Sequence, residues 1–295
     1  MPAAHVHQIL NHYTPPQALD PGFEVLDNRA NERPDWYEYW PIRRYLINAP
    51  LDESAFYGFL SPKFKLKTNL DARAVDGIVR GANPAVDVIL LSPSIHNTAH
   101  HWNVFDHGEA EHPGLKAVAA ELFARIGRPT DLDRLVSDSR NTVNSNFFLA
   151  KPRFWRAWLE VNEAMFRIAE DPADPLGERL RTPVPYRGRR DVQMKIFVME
   201  RIATWLLCAD GGFAALAPDP FASAARVYKL PLAIVCDALK IAYATEGRPQ
   251  YRDVFVMLGG LRKMLNFEVR VGDLLGTRRV RPALRTLGAY WDRRG

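Results

Sequence analysis

A chain of 295 residues with 47% hydrophobic and 25% charged side chains has the composition of an ordinary folded protein, which excludes a disordered or fibrous architecture. A net charge of +5 favours anionic ligands or surfaces, but no dense Lys/Arg stripe of the kind that reads nucleic acid is present. Two cysteines in apolar sequence (Cys208, Cys236), no CxxC pair, no run of 18 apolar residues and no signal-like N-terminus lead us to expect a cytoplasmic protein with buried thiols and no disulfide scaffold.

In chain order, His5–Leu10 alternates polar and apolar residues and predicts a first strand closed by Pro15-Pro16. Asp35–Ile47 is aromatic-rich and predicts a helix, and Phe56–Leu60 (FYGFL) predicts a buried strand. Asp71 is placed to cap a helix through Val79, and Val86–Leu91 predicts the next strand. A histidine-rich loop follows, then helices from Pro113 to Ile126 and from Thr130 to Ser139. A strand is expected over Asn144–Leu149 and a long helix from Pro152. Asp171–Arg190, rich in proline and arginine, reads as a loop. Helices are expected over Gln193–Cys208 and around 223–243 and 249–265. This alternation is that of an α/β sheet, with residues 1–210 as the catalytic α/β domain and 211–295 as a helical extension packed on it.

Four segments carry candidate chemistry. Between Ser92 and Pro113 lie five of the eight histidines (His96, His100, His101, His107, His112) with Asp106, Glu109 and Glu111, just past a strand end where open sheets collect ligands. HxxxH spacing from His96 to His100 aligns metal ligands only on a helix, and no HExxH is present, so solvated or backbone-bonded histidines outweigh a dedicated zinc site. The carboxylates read either as a solvated loop or as catalysts, Glu109 or Asp106 steadied by His112 and deprotonating a hydroxyl. In Ser61–Thr68 (SPKFKLKT), an extended backbone would set Lys63, Lys65 and Lys67 on one side, suited to a diphosphate, or simply a soluble edge. Arg140, read as a phosphate binder alongside the lysines, and Asn144 and Asn146, whose amides suit sugar hydroxyls or turns, lie on the approach to the fourth expected strand. Glu200-Arg201 sits in an apolar helix and must face a solvent stripe or be bonded internally. Neither GxxxxGK[ST] nor GxGxxG occurs, which disfavours P-loop and Rossmann dehydrogenase chemistry.

The order of these segments (Tyr57-Gly58 with Ser61 and Lys63, the Asp87–Leu90 strand, a loop ending in His112, Asn146 to Trp158, and Glu200-Arg201-Ile202) resembles bacterial surface-polysaccharide glycosyltransferases of the GT-A-like type, over about residues 55 to 207. The resemblance implies a GT-A-like, Rossmann-related mixed sheet flanked by helices. It also implies a nucleotide-sugar donor at the C-terminal strand ends, and a surface glycan or lipid-linked acceptor. It adds Ser61, Glu200 and Arg201 to the donor-side residues, and a Mn²⁺ or Mg²⁺ ion is compatible with it. The chain departs from the family pattern in having no clear DxD; Asp71-Ala-Arg73 and Asp131-Leu-Asp133 are the nearest segments, so fixed lysine charge is an alternative neutraliser of the leaving diphosphate. A non-catalytic glycan- or protein-binding module and a metal-dependent hydrolase built on residues 96–112 are the alternatives. The basic C-terminal stretch, residues 270–295 above all, is a candidate for peripheral contact with the anionic inner face of the membrane, or for packing on the domain.

Overall fold

The computed structural model describes residues 2–92, 95–185, 192–209, 211–221 and 230–260. Its centre is a six-stranded mixed sheet in the order β2-β1-β3-β5-β4-β6, formed by β1 (Ala4–Asn11), β2 (Glu24–Asn28), β3 (Phe56–Leu60), β4 (Val88–Leu90), β5 (Phe148–Ala150) and β6 (Ala215–Leu216). Five strands run parallel; β5 alone is antiparallel to its neighbours β3 and β4.

The period-two pattern sorts the core. Tyr57 and Phe59 of β3, Val88 and Leu90 of β4 and Phe148 and Ala150 of β5 face one layer. Phe56 and Leu60, Ile89 and Leu91, and Phe147 and Leu149 face the other. Burial on both faces is why FYGFL is apolar throughout, as central strands of α/β sheets are. Gly58 has a specific reason: a Cβ there would stand 2.9 Å from Leu149 Cγ, so only glycine lets β5 approach.

The first layer holds α1 (Tyr39–Asn48), α5 (Val104–Glu111), α6 (Leu115–Arg125), α7 (Pro152–Glu170), α8 (Pro175–Arg181) and α9 (Met194–Ala209). Pro152 opens α7, whose fully buried Trp155 donates Nε1–H to the Tyr57 carbonyl (3.0 Å) and so pins the helix to β3. The second layer is thinner: α2 (Phe64–Thr68) and α3 (Ala72–Gly81), the latter capped by Asp71 accepting from Ala74 N–H at 3.0 Å. Two further helices, α10 (Leu230–Glu246) and α11 (249–260), pack on Trp102 in a small separate cluster.

Several expectations change. SPKFKLKT is not an extended edge: Lys63 precedes and Lys65 and Lys67 sit within α2, so the lysines radiate with a period of 3.6 instead of lining one side. The histidine segment is largely helical, with a short α4 (Ile95–Thr98) and then α5, started by Asn103, whose side chain accepts from Phe105 and Asp106 N–H. No helix forms at 130–139; turns take its place. The strand expected from Asn144 begins only at Phe148, because Ser145 and Asn146 hold left-handed backbone, φ 60° and 52°. Within 171–190 the segment 175–181 is α8, while 186–190 lies outside the described residues, as do 223–229, 261–265 and the 270–295 stretch. β2 and β6 were not foreseen, and β6 carries the sheet past residue 210 into what reads from sequence as a separate extension. Asp87 fastens it: its carboxylate accepts from Ala214 N–H (2.8 Å) and from Arg153. Among the described residues no helix is long and apolar enough to cross a membrane.

Candidate functional site

A cleft opens at the C-terminal ends of β1, β2 and β3, the place where an open α/β sheet leaves backbone and side-chain polar groups uncovered. It has two chambers, of about 760 and 820 Å³, which share Lys63, Lys67, Ser145 and Glu200. Asn11 at the end of β1 and His12 just after it, Asn28 from β2, Ser61 after β3, Glu38 before α1, Asn146 before β5 and Met199 of α9 line the first chamber. Asn97, His101, His107, His112, Asn144, Phe197 and Arg201 line the second.

Backbone strain concentrates there. Of the five non-glycine residues with left-handed φ among the described residues (Asn31, Tyr37, Asn69, Ser145 and Asn146), all but Asn69 line the first chamber. Such conformations cost about 1–3 kcal/mol each and persist where a site needs them. The turn that strains Tyr37 delivers Glu38, and the turn that strains Asn146 buries it (7% exposed) with Oδ1 accepting no hydrogen bond among the described residues. A buried amide oxygen facing a cleft is able to accept a hydrogen bond from a bound hydroxyl.

Glu38 is the residue that sequence reading missed. Its carboxylate makes no hydrogen bond or ion pair among the described residues; burial pushes its pKa up to about 7, eased by Lys67 and reinforced by Glu200. The signal was there in WYEYW, a lone acid between aromatics, since a charge in an apolar run must be paired or shifted. Lys67 reaches Ser145 Oγ at 3.2 Å and stands 5.2 Å from the Phe147 ring. Lys63 and Lys67, four residues apart, share the face of the α2 turn that meets the cleft, whereas Lys65 is exposed and pairs with Asp71 at 3.8 Å.

Of the acids that stood out in the sequence, Glu111 lines the second chamber, while Asp106 and Glu109 are engaged elsewhere. Glu109 accepts from Gly114 N–H (2.8 Å) and Lys116 N–H (2.9 Å), capping α6, and Asp106 pairs with Lys116 at 2.6 Å; neither lines the cleft. The acceptor-side carboxylates expected from the sequence are thus placed between α5 and α6, which they join, and not on a cleft wall. His112 does line the second chamber. Its ring stacks on Phe197 at 3.6 Å, and burial, with Arg201 nearby, lowers its pKa to about 4; His107 is lowered to about 4 for the same two reasons. Both imidazoles are neutral at physiological pH, and no three His, Cys, Asp or Glu side chains group as metal ligands among the described residues.

Arg140, expected to bind phosphate, makes a two-pronged bond to buried Asp138 and lies outside both chambers. Asn144 lines the second chamber, its backbone N–H donating to Ser92 Oγ at 2.9 Å. Glu200 faces both chambers; Arg201 is buried and donates to the carbonyls of Val104 (2.9 Å) and Phe197 (2.5 Å), with Gly108 flat against its guanidinium. The Glu200-Arg201 pair is therefore divided between a cleft wall and an internal brace. Comparison with protein-family models, with curated proteins and with solved structures finds no match.

Proposed function

We propose that this chain is a glycosyltransferase of GT-A-like type that moves a sugar from a nucleotide-sugar donor to a hydroxyl of a surface glycan or lipid-linked acceptor. The observation that carries the reading is a single cleft wall combining two ammonium groups, Lys63 and Lys67, a carboxyl near pKa 7, Glu38, and the donor-less amide oxygen of Asn146. A mixed sheet with one antiparallel strand beside the cleft supports it further.

In a direct displacement, ionised Glu38 takes the proton of the acceptor hydroxyl. The acceptor oxygen forms its bond to the anomeric carbon as the bond from that carbon to the diphosphate oxygen breaks. The diphosphate leaves with the electron pair, and Lys63 and Lys67 neutralise it. Asn146 Oδ1 accepts from a sugar hydroxyl, and Ser61 and Glu200 border the donor. A carboxyl titrating near 7 is matched to this role, being ionised in a useful fraction at neutral pH while remaining a competent base.

The test is thermal shift and turnover with UDP-, GDP-, CMP- and dTDP-sugars, each with Mn²⁺, with Mg²⁺ and with chelator. Stabilisation by one nucleotide together with sugar transfer supports the reading. Binding of a glycan with no turnover identifies a binding module instead, and stabilisation by Zn²⁺ alone identifies a hydrolase.

A further inference from the structure

The two chambers of the cleft share a wall but differ in charge. Lys63, Lys67, Ser145 and Glu200 belong to both, so a ligand in one chamber meets a ligand in the other there. Both lysines are exposed, and they are the ammonium groups available to an anion. Beyond that wall the lining of the second chamber holds one permanent cation, Arg201, which is buried and committed to the carbonyls of Val104 and Phe197. His107 and His112 add no positive charge at neutral pH, because burial and the nearby Arg201 keep both imidazoles unprotonated. The accessible charge on this side is negative: Glu111 is exposed and makes no hydrogen bond or ion pair among the described residues.

An anion entering the second chamber would give up water against neutral imidazoles and a carboxylate, and a desolvated charge without a counter-charge is costly. A neutral polyol meets no such penalty. Neutral imidazoles and the amides of Asn97 and Asn144 each carry a donor and an acceptor, as sugar hydroxyls do. His112, stacked on Phe197 at 3.6 Å, and the aliphatic Val104 and Val143 supply apolar lining for the C–H face of a sugar ring. The volume of about 820 Å³ is that of a small-molecule site, roughly 300–1,000 Å³.

We infer that the second chamber is the acceptor subsite and that it takes an uncharged sugar, while the shared lysines hold the anionic donor. The role of the chamber rests on the transferase reading; the class of its ligand rests on the charge of its walls. The reactive hydroxyl of the acceptor then faces the donor across Ser145 and Glu200.

The experiment is a glycan array carrying neutral and uronic-acid-bearing glycans, probed with the full-length chain, with the hits titrated by calorimetry. Wild type should bind neutral glycans and should bind uronic-acid counterparts on the order of tenfold more weakly. Glu111→Gln should narrow that ratio and Glu111→Lys should reverse it, the position being exposed at the last residue of α5. Asn97→Trp, also at an exposed position, should fill the chamber and abolish glycan binding while thermal stabilisation by nucleotide-sugar stays that of wild type. An array without signal, uronic-acid glycans bound as tightly as neutral ones, a ratio that Glu111→Lys leaves unmoved, or glycan binding that survives Asn97→Trp overturns the inference. If any of these occurs while sugar transfer persists, the transferase reading stands and the acceptor class alone falls. If neutral glycans bind but no nucleotide-sugar binds or reacts, the transferase reading falls and takes the acceptor role with it.

Discussion

Two sets of carboxylates face different fates in this fold. Asp106 and Glu109 sit in a segment crowded with histidines, yet Asp106 is paired with a lysine and both oxygens of Glu109 accept from the N-terminus of α6. Glu38 sits among aromatics, bonded to nothing described, with its proton held to about pH 7. An acid that is fully hydrogen-bonded in its ionised form has its energy tied up in structure; one that is desolvated without a partner keeps it available for chemistry.

The sharpest way to break this contrast is kinetic. Glu38→Gln should lower turnover on the order of 10²–10⁴-fold with donor affinity little changed, the span expected for loss of a general base. Glu109→Gln should leave turnover near wild type. Equal turnover in the two variants would erase the distinction.

The lysines come next. Lys67→Met and Lys63→Met each remove a charged donor from the cleft wall, which should weaken nucleotide-sugar binding by roughly 10- to 100-fold, about 1.5–3 kcal/mol. Lys65→Met should not alter it, since Lys65 turns to Asp71 and solvent. Isothermal titration of all three variants decides whether the helical phase of α2, rather than the count of lysines, sets affinity.

Stability against pH gives a third handle. Glu38 has its folded pKa raised, so the stability of its neutral form is fully present below the ordinary glutamate value near 4.5 and is lost as pH rises through about 7. Glu38→Gln should therefore melt higher than wild type at about pH 8, by on the order of 1–3 kcal/mol, and match it near pH 4. His107 and His112 act oppositely. Their folded pKa values are lowered, so their contribution is present above about 6.5 and lost as pH falls through about 4. Replacing both by Gln should flatten acid unfolding in that window.

The smallest effect belongs to the acid that the sequence made most conspicuous. Glu109→Ala should cost about 1 kcal/mol in denaturant unfolding, the value of a lost helix cap, without changing the pH dependence of turnover. A loss of turnover larger than the loss of folded protein would return Glu109 to the site.

Much of the scaffold was legible in the residues themselves. FYGFL predicts β3 to its ends, Asp71 caps α3 as its side-chain chemistry requires, and Pro152 marks the start of α7. These follow from local physics: side-chain period, capping and proline's missing donor. What local pattern could not reach is what depends on distant partners. β2 and β6 are short, and what fixes them is pairing with β1 and with β4. SPKFKLKT alternates like a strand, but Phe64 is buried among Phe23 and Phe147, and packing on those rings holds it as a helical turn. The candidate site divides the same way. Lys63, Lys67, Asn144, Asn146, His112 and Glu200 were singled out from residue type and meet at the cleft. Glu38 joins them because folding half-buries its carboxyl at the cleft wall with no hydrogen-bond partner among the described residues, and burial is a property of three-dimensional surroundings that one sequence position cannot carry. By itself the sequence determined which elements form and which side chains bear charge. The tertiary structure decided which of those charges are spent on holding the fold and which are left facing the cleft.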